Sequence, residues 1–175
     1  MTGFELSILD FIQNTLRCSF LDMFMTKITL LGNGGVFWII LTLLLLISKK
    51  YRKAGIIMAI ALILDLLLCN MFLKPVVARI RPFYINTDIV LLIPKPSEFS
   101  FPSGHSAVSF AGASAMLFAG NKHWKWAMVI AAVIAFSRLY LYVHFPTDVI
   151  GGALLGIFCG YAASKIYTFI SRKKA

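Results

Sequence analysis

The feature that most constrains this chain is a succession of apolar runs, each close to the length of a membrane span. They cover about residues 31–47, 54–73, 104–119, 126–143 and 149–170. A helix needs roughly 20 residues to cross the hydrocarbon layer, so the first and third runs must borrow flanking turns. Composition agrees, with 59% of the 175 residues hydrophobic and only 14% charged, against about half and a quarter in soluble domains. The predicted fold is all-α, a polytopic membrane helix bundle of five to six transmembrane helices.

Residues 1–30 differ from the rest. Phe4, Ile8, Phe11, Ile12, Leu16, Phe20 and Phe24 recur at helical spacing, but Glu5, Asp10, Arg17, Asp22 and Lys27 interrupt them. A charge at the centre of a span costs roughly 2.5–3.5 kcal/mol on insertion scales. The pattern predicts an N-terminal amphipathic helix lying in the interface over residues 1–30, then one transmembrane domain over residues 31–175. A sixth span results if residues 4–25 cross instead. The opening MTGFELSILD is acidic and unlike a cleaved signal. Cys18, Cys69 and Cys159 have no metal-binding spacing and read as apolar filler.

Charge sets the orientation. Lys49, Lys50, Arg52 and Lys53 join the first two runs, and Lys122 and Lys125 join the third and fourth; Lys165, Arg172, Lys173 and Lys174 lie toward the C-terminal end. The positive-inside rule places all three groups in the cytoplasm. Basic residues distributed in this way explain the net charge of +10 through the membrane, with no nucleic acid as partner. The other, extracytoplasmic face then receives the loop 74–103 and the turn 143–148, which hold nearly every unusual polar residue.

Three segments on that face carry chemistry: Lys74 to Arg81-Pro82, Phe101-Pro102-Ser103-Gly104-His105-Ser106, and Ser137-Arg138 followed by His144 and Asp148. A phosphomonoester or diphosphate needs several cations around its oxygens, and Lys74, Arg81 and Arg138 can supply them, the arginines with a bidentate fork. Pro102-Ser103-Gly104 ahead of an apolar run is a helix start, where backbone N–H groups bind anions. Displacement at phosphorus also needs a nucleophile and a proton donor, roles open to His105 and His144. Asp148, placed in a first helical turn by Pro146, could fold back on one imidazole nitrogen and activate the other. Taken singly, each of these residues has an ordinary structural reading. Their convergence on one face does not.

The three segments resemble the signature of the type 2 phosphatidic acid phosphatase superfamily, which also contains glucose-6-phosphatase and the vanadium haloperoxidases. That signature reads K-x6-R-P, P-S-G-H and S-R-x5-H-x3-D, and all its defining positions occur here in order between residues 74 and 148. The resemblance implies that His144 attacks phosphorus and becomes phosphohistidine while Asp148 orients it and His105 protonates the leaving oxygen. Lys74, Arg81, Ser103, Gly104 and Arg138 are then the phosphate-binding residues, with no metal and no cofactor. The implied activity is a metal-independent membrane phosphatase acting on a lipid phosphate, phosphatidic acid or phosphatidylglycerophosphate first and a polyprenyl (undecaprenyl) diphosphate second. The undecaprenyl branch often carries Asp where this chain has Gly104. A lipid-phosphate-binding or transport protein is the non-enzyme alternative, and oxidative chemistry with vanadate a third. The implied location is the plasma membrane with the site outside, among membrane lipids.

Further expectations concern the surroundings. Asp65 lies nine residues before Lys74, about 13 Å deeper and on the opposite face of a regular helix; an intramembrane acid is a functional candidate by default, but at that distance a structural hydrogen bond to a neighbouring helix is expected. Asn70 falls one turn below Lys74 and could support it. The loop segment Ser97-Glu98-Phe99-Ser100-Phe101, with Phe83 and Tyr84, is either headgroup docking, a substrate mouth or loop packing. Gly151, Gly152, Gly156 and Gly160 favour close packing, within the chain or in a homodimer. Finally, Arg138 and His144 are about 120° apart on a continuous helix, so they converge only if the helix ends or bends between them.

Overall fold

The computed structural model describes residues 2–173, so Lys174 of the C-terminal basic group lies outside the described residues. Among those residues the chain is all-helical, without a strand. Helices α1 (Thr2–Leu16) and α2 (Ser19–Leu30) lead into α3 (Val36–Ile47) and α4 (Arg52–Asp65). A π-helical segment, Leu66–Leu73, extends α4 into the short α5 (Lys74–Val77), and α6 (Pro82–Ile85) follows. The bundle closes with α7 (Gly104–Phe118), α8 (Trp124–Tyr140) and α9 (Pro146–Arg172).

Two stretches, Arg52–Ile85 and Pro146–Arg172, are long and apolar enough to cross a membrane. Ser19–Leu30 and Asn33–Ile47, bent by 48°, make a third if the pair is one span. Helices α7 and α8, at 15 and 17 residues, fall short of spanning length by themselves. The first apolar run also starts later than hydropathy suggests. Gly34 and Gly35 take positive φ values of 56° and 67°, which glycine tolerates and other residues resist. That break delays α3 until Val36.

Helix α7 is the centre of the bundle, packed against α9, α8 and α4. Its approach to α9 depends on absent side chains. A Cβ on Gly152 would sit 2.5 Å from the Ser103 carbonyl oxygen, and Cβ atoms on Gly156 and Gly160 would overlap Ala107 and Ser114. This glycine stripe is therefore covered by the chain's own α7. On the other flank, fully buried Trp38 lies over Gly112 and donates its indole N–H to Ser109 Oγ at 3.0 Å.

The N-terminal region forms two helices, broken after Leu16, where the sequence suggested one. Helix α1 exposes Phe4 and Phe11 and buries Leu9 and Ile12. Leu9 packs with Tyr142 and Phe145, and Ile12 with Tyr140, Leu141 and Val143. The apolar face of α1 thus seats on the turn between α8 and α9.

Candidate active site

The three signature segments meet around a cavity of about 650 Å³ bordered by Lys74, Arg81, Gly104, His105, Arg138 and His144. Lys74 reaches it from the end of the π-helical segment, Arg81 from the residue preceding α6, and Gly104 and His105 from the first turn of α7. Ser103 caps α7, its hydroxyl accepting from Ser106 N at 3.4 Å and Ser106 Oγ at 3.0 Å, so its oxygen serves the helix start. Gly104 keeps the backbone close to Lys74: a Cβ there would lie 3.4 Å from both Lys74 Nζ and Asn70 Oδ1.

The problem of Arg138 and His144 is solved by the end of α8. The chain leaves the helix through Tyr142, a non-glycine residue at φ 59°. Val143 N donates to Arg138 O at 3.2 Å and Tyr142 N to Leu139 O at 3.0 Å, the pattern of a Schellman closure. The left-handed Tyr142 is held from outside the turn, since its hydroxyl donates to Asp10 Oδ1 at 2.6 Å and accepts from Asn86 Nδ2 at 3.2 Å. This reversal swings His144 back over the cavity that Arg138 also faces.

The hydrogen bonds assign the His144 tautomer. Arg81 Nη1 lies 3.1 Å from His144 Nε2, and a guanidinium can only donate. Nε2 therefore presents its lone pair and Nδ1 carries the proton. Nδ1 faces Asp148 Oδ2 at 3.6 Å, slightly beyond hydrogen-bond reach, and has no nearer partner. Catalytic hydrogen bonds are often long before substrate arrives. Burial depresses the His144 pKa, with Arg81 and Arg138 adding to it and Asp148 opposing, so the ring is neutral at physiological pH.

Asp148 is fixed from several sides. It accepts from Arg79 Nη1 at 2.6 Å, Ser100 Oγ at 2.5 Å and Phe145 N at 2.9 Å. The last bond is the reach of an acid in the first helical turn back to the residue before it. Arg79 in turn donates to Glu5 Oε2 at 2.6 Å and Thr147 Oγ1 at 2.7 Å. Arg138 donates to Thr29 Oγ1 at 2.5 Å, and its buried Nε is unpartnered. The His105 Nε2 meets Asn33 Oδ1 at 2.8 Å.

Sequence reasoning missed Glu5, Thr29, Asn33, Arg79 and Ser100 as supports of the site. The charges of residues 1–30, read as marks of a membrane interface, include Glu5 and Asp10, direct partners of Arg79, Thr147 and Tyr142 around the turn that carries His144. Glu98, in the segment read as headgroup docking, a substrate mouth or loop packing, borders the cavity, and its carboxylate is ion-paired with Lys74. Its backbone oxygen also accepts from Arg81 Nε at 2.7 Å. The Lys74 ammonium holds the Glu98 carboxyl below its ordinary pKa, against the smaller effect of burial. Glu98 thus occupies, as an anion, a cation that faces the cavity.

Chemically, the cavity offers a neutral imidazole whose lone pair is held by Arg81, a second imidazole, and three cations in one buried space. That set suits transfer of a phosphoryl group to nitrogen. The PAP2 superfamily model matches residues 51–172, more than half of the chain. An undecaprenyl-diphosphatase of Sulfolobus acidocaldarius is 40% identical over 131 residues, 74% of this chain and 63% of that protein. Aquifex aeolicus LpxE superposes with a TM-score of 0.79 at 34% identity, covering 91% of this chain and 94% of that one. The PAP2-type phosphatidylglycerolphosphate phosphatase of Bacillus subtilis gives 0.77 at 31% identity, covering 96% and 86%. The signature residues, the helical architecture and these matches agree: the chain belongs to the PAP2 superfamily.

Proposed function

We propose that this chain is an integral membrane lipid phosphate phosphatase that works through a phosphohistidine, with phosphatidic acid or phosphatidylglycerophosphate as substrate. One observation carries the reading: two imidazoles and three cations border a single cavity that continues between the apolar walls of α3 and α4. In the reaction, Lys74, Arg81 and Arg138 take the phosphoryl oxygens, and Arg81 leaves His144 Nε2 as it does so. Nε2 attacks phosphorus, the bond to the leaving oxygen breaks, and His105 gives that oxygen a proton. Asp148 accepts the Nδ1–H of the imidazolium that forms. Water then attacks the phosphohistidine, losing a proton to His105, and releases inorganic phosphate and free His144. The fixed cations stabilise the charge on the transferring group, so the step needs no metal.

In this reading the bundle has five to six spans, with α7 and α8 completed by flanking turns, and residues 1–30 form the interfacial unit beside the domain 31–175. The basic groups at 49–53, 122–125 and 165–173 lie at the ends of the helices opposite the site. They support a plasma-membrane orientation with the cavity extracytoplasmic. A homodimer could use only surfaces other than the glycine stripe under α7. The polyprenyl diphosphate reading is favoured by the 40% identity to the Sulfolobus diphosphatase. The purified protein should release phosphate from phosphatidic acid in the presence of EDTA, with inhibition by vanadate. Full activity of His144→Ala refutes the mechanism, and binding of lipid phosphate without turnover favours a binding or transport role.

A further inference from the structure

We infer that Asp65 and Asn70 form a second polar subsite, which hydrogen-bonds the glycerol and ester region of a glycerophospholipid monophosphate; the inference rests on the phosphatase reading above. Three observations lead to it. The first is helical geometry. On a regular helix Asp65 and Lys74 are nine residues apart and about 180° around the axis. The segment between them is π-helical, Leu66–Leu73, with Lys74 N bonded to Cys69 O. Bonds from i to i+5 bring residues five apart onto one face, so Asp65 and Asn70 stack, and Lys74 follows four residues on. Asp65, Asn70 and Lys74 accordingly border the same cavity, contrary to the opposite-face expectation.

The second observation is an unmet hydrogen bond. Asp65 is 2% exposed and its Oδ1 has no partner, so the expected bond to a neighbouring helix is not made. A buried polar atom left unpaired is costly, and a ligand that pairs it gains affinity. The third is placement. Asn70 Oδ1 lies beside Gly104 and Lys74 at the phosphate end, and Asp65 is next below, where Ile39, Leu43 and Ile63 begin the apolar walls. A ligand with phosphate at Lys74 and hydrocarbon between α3 and α4 must have something polar in between to satisfy Asp65. The ester carbonyl of a glycerophospholipid is that group: it only accepts, and Asp65, 2% exposed and without an ion-pair partner among the described residues, donates to it as the neutral acid. An isoprenoid phosphate offers hydrocarbon at the same depth and leaves the carboxyl unmet.

The test measures kcat/KM for dioleoyl phosphatidic acid and for farnesyl monophosphate with the full chain in detergent. Both are monophosphates, so the ratio reports only what lies beyond the phosphate. In Asp65→Leu the ratio of phosphatidic acid to farnesyl phosphate should fall about tenfold, equivalent to about 1.4 kcal/mol. Asp65→Asn, which keeps a donor and an acceptor, should hold the ratio within about threefold of wild type, on the same scale. Loss of properly folded protein lowers both activities together and cancels in the ratio. An unchanged ratio in Asp65→Leu, or one shifted toward phosphatidic acid, overturns the subsite. Wild-type protein that hydrolyses neither lipid refutes the phosphatase reading itself and takes the subsite with it.

Discussion

The Lys74–Glu98 ion pair makes a quantitative prediction about substrate affinity. A phosphoryl group entering the cavity must displace the Glu98 carboxylate from Lys74. The pair is asymmetric: the Lys74 side chain is 8% exposed, the Glu98 side chain 64%. With one partner largely in water, the coupling belongs with exposed pairs at roughly 0.2–1 kcal/mol, well below the roughly 3–5 kcal/mol of breaking a fully buried pair. Glu98→Gln preserves shape and an acceptor oxygen but removes the charge. KM should therefore fall by a factor of about 1.4 to 5, the range that those energies give, while kcat stays the same. Steady-state kinetics on phosphatidic acid in mixed micelles measures both. Because Lys74 lowers the Glu98 pKa, the carboxylate stays charged, and competes, down through the ordinary carboxylate range. The wild-type to variant KM ratio should stay constant from neutral to weakly acidic pH and close only as pH falls through that depressed value. Taking a ratio cancels titration of the substrate. A higher KM in Glu98→Gln, or a tenfold lower kcat, would refute the competitor role and put Glu98 in the chemistry.

Two other substitutions probe the imidazoles. Asp148→Asn removes the acceptor opposite His144 Nδ1 and should lower kcat about a hundredfold or more, with little change in KM; trapping of phosphoenzyme in a rapid quench should show slower formation. Gly32→Ala places a methyl group against the His105 ring, with Cγ 3.0 Å away, and should push it off Asn33. Its kcat on phosphatidic acid should fall about tenfold, within the reach of proton-transfer catalysis. The loss should shrink on p-nitrophenyl phosphate, whose leaving group needs no proton; an equal loss on both substrates argues against His105 as the acid.

The eight candidate site residues stood out because phosphoryl transfer restricts the residue types that can serve it, and six of them, Lys74, Arg81, Gly104, His105, Arg138 and His144, border one cavity. Of the five runs, the second and fifth are helices long and apolar enough to cross a membrane, and the first is so if Ser19–Leu30 and Asn33–Ile47 form one span. What escaped was contact between distant segments. Glu5 and Arg79 are separated by 74 positions, and no local pattern distinguishes an acid paired across the fold from an acid facing headgroups. Arg79, two residues before Arg81, has no place in the signature, and its hold on Asp148 is a contact across 69 positions. Asp65 was misplaced for another reason. Hydrophobic residues occupy Leu66 to Cys69 throughout, so periodicity is silent about whether they wind as α or π. The Gly-Asn-Gly-Gly run at 32–35 was a turn signal, and the surrounding hydropathy masked it.

The seating of α1 on the turn that carries His144 separates two boundaries that are easily conflated. Residues 51–172 define the recognisable family unit and contain every group to which the proposed mechanism gives a reacting role. The side chains that hold those groups in place from Glu5, Asp10, Thr29 and Asn33 all precede it. A fragment trimmed to 51–172 would keep the whole reagent list, with Arg79 and Ser100 still on Asp148, while losing the part of the jig that Glu5, Asp10, Thr29 and Asn33 supply. The smallest piece that identifies this enzyme family is thus smaller than the smallest piece built to turn over substrate.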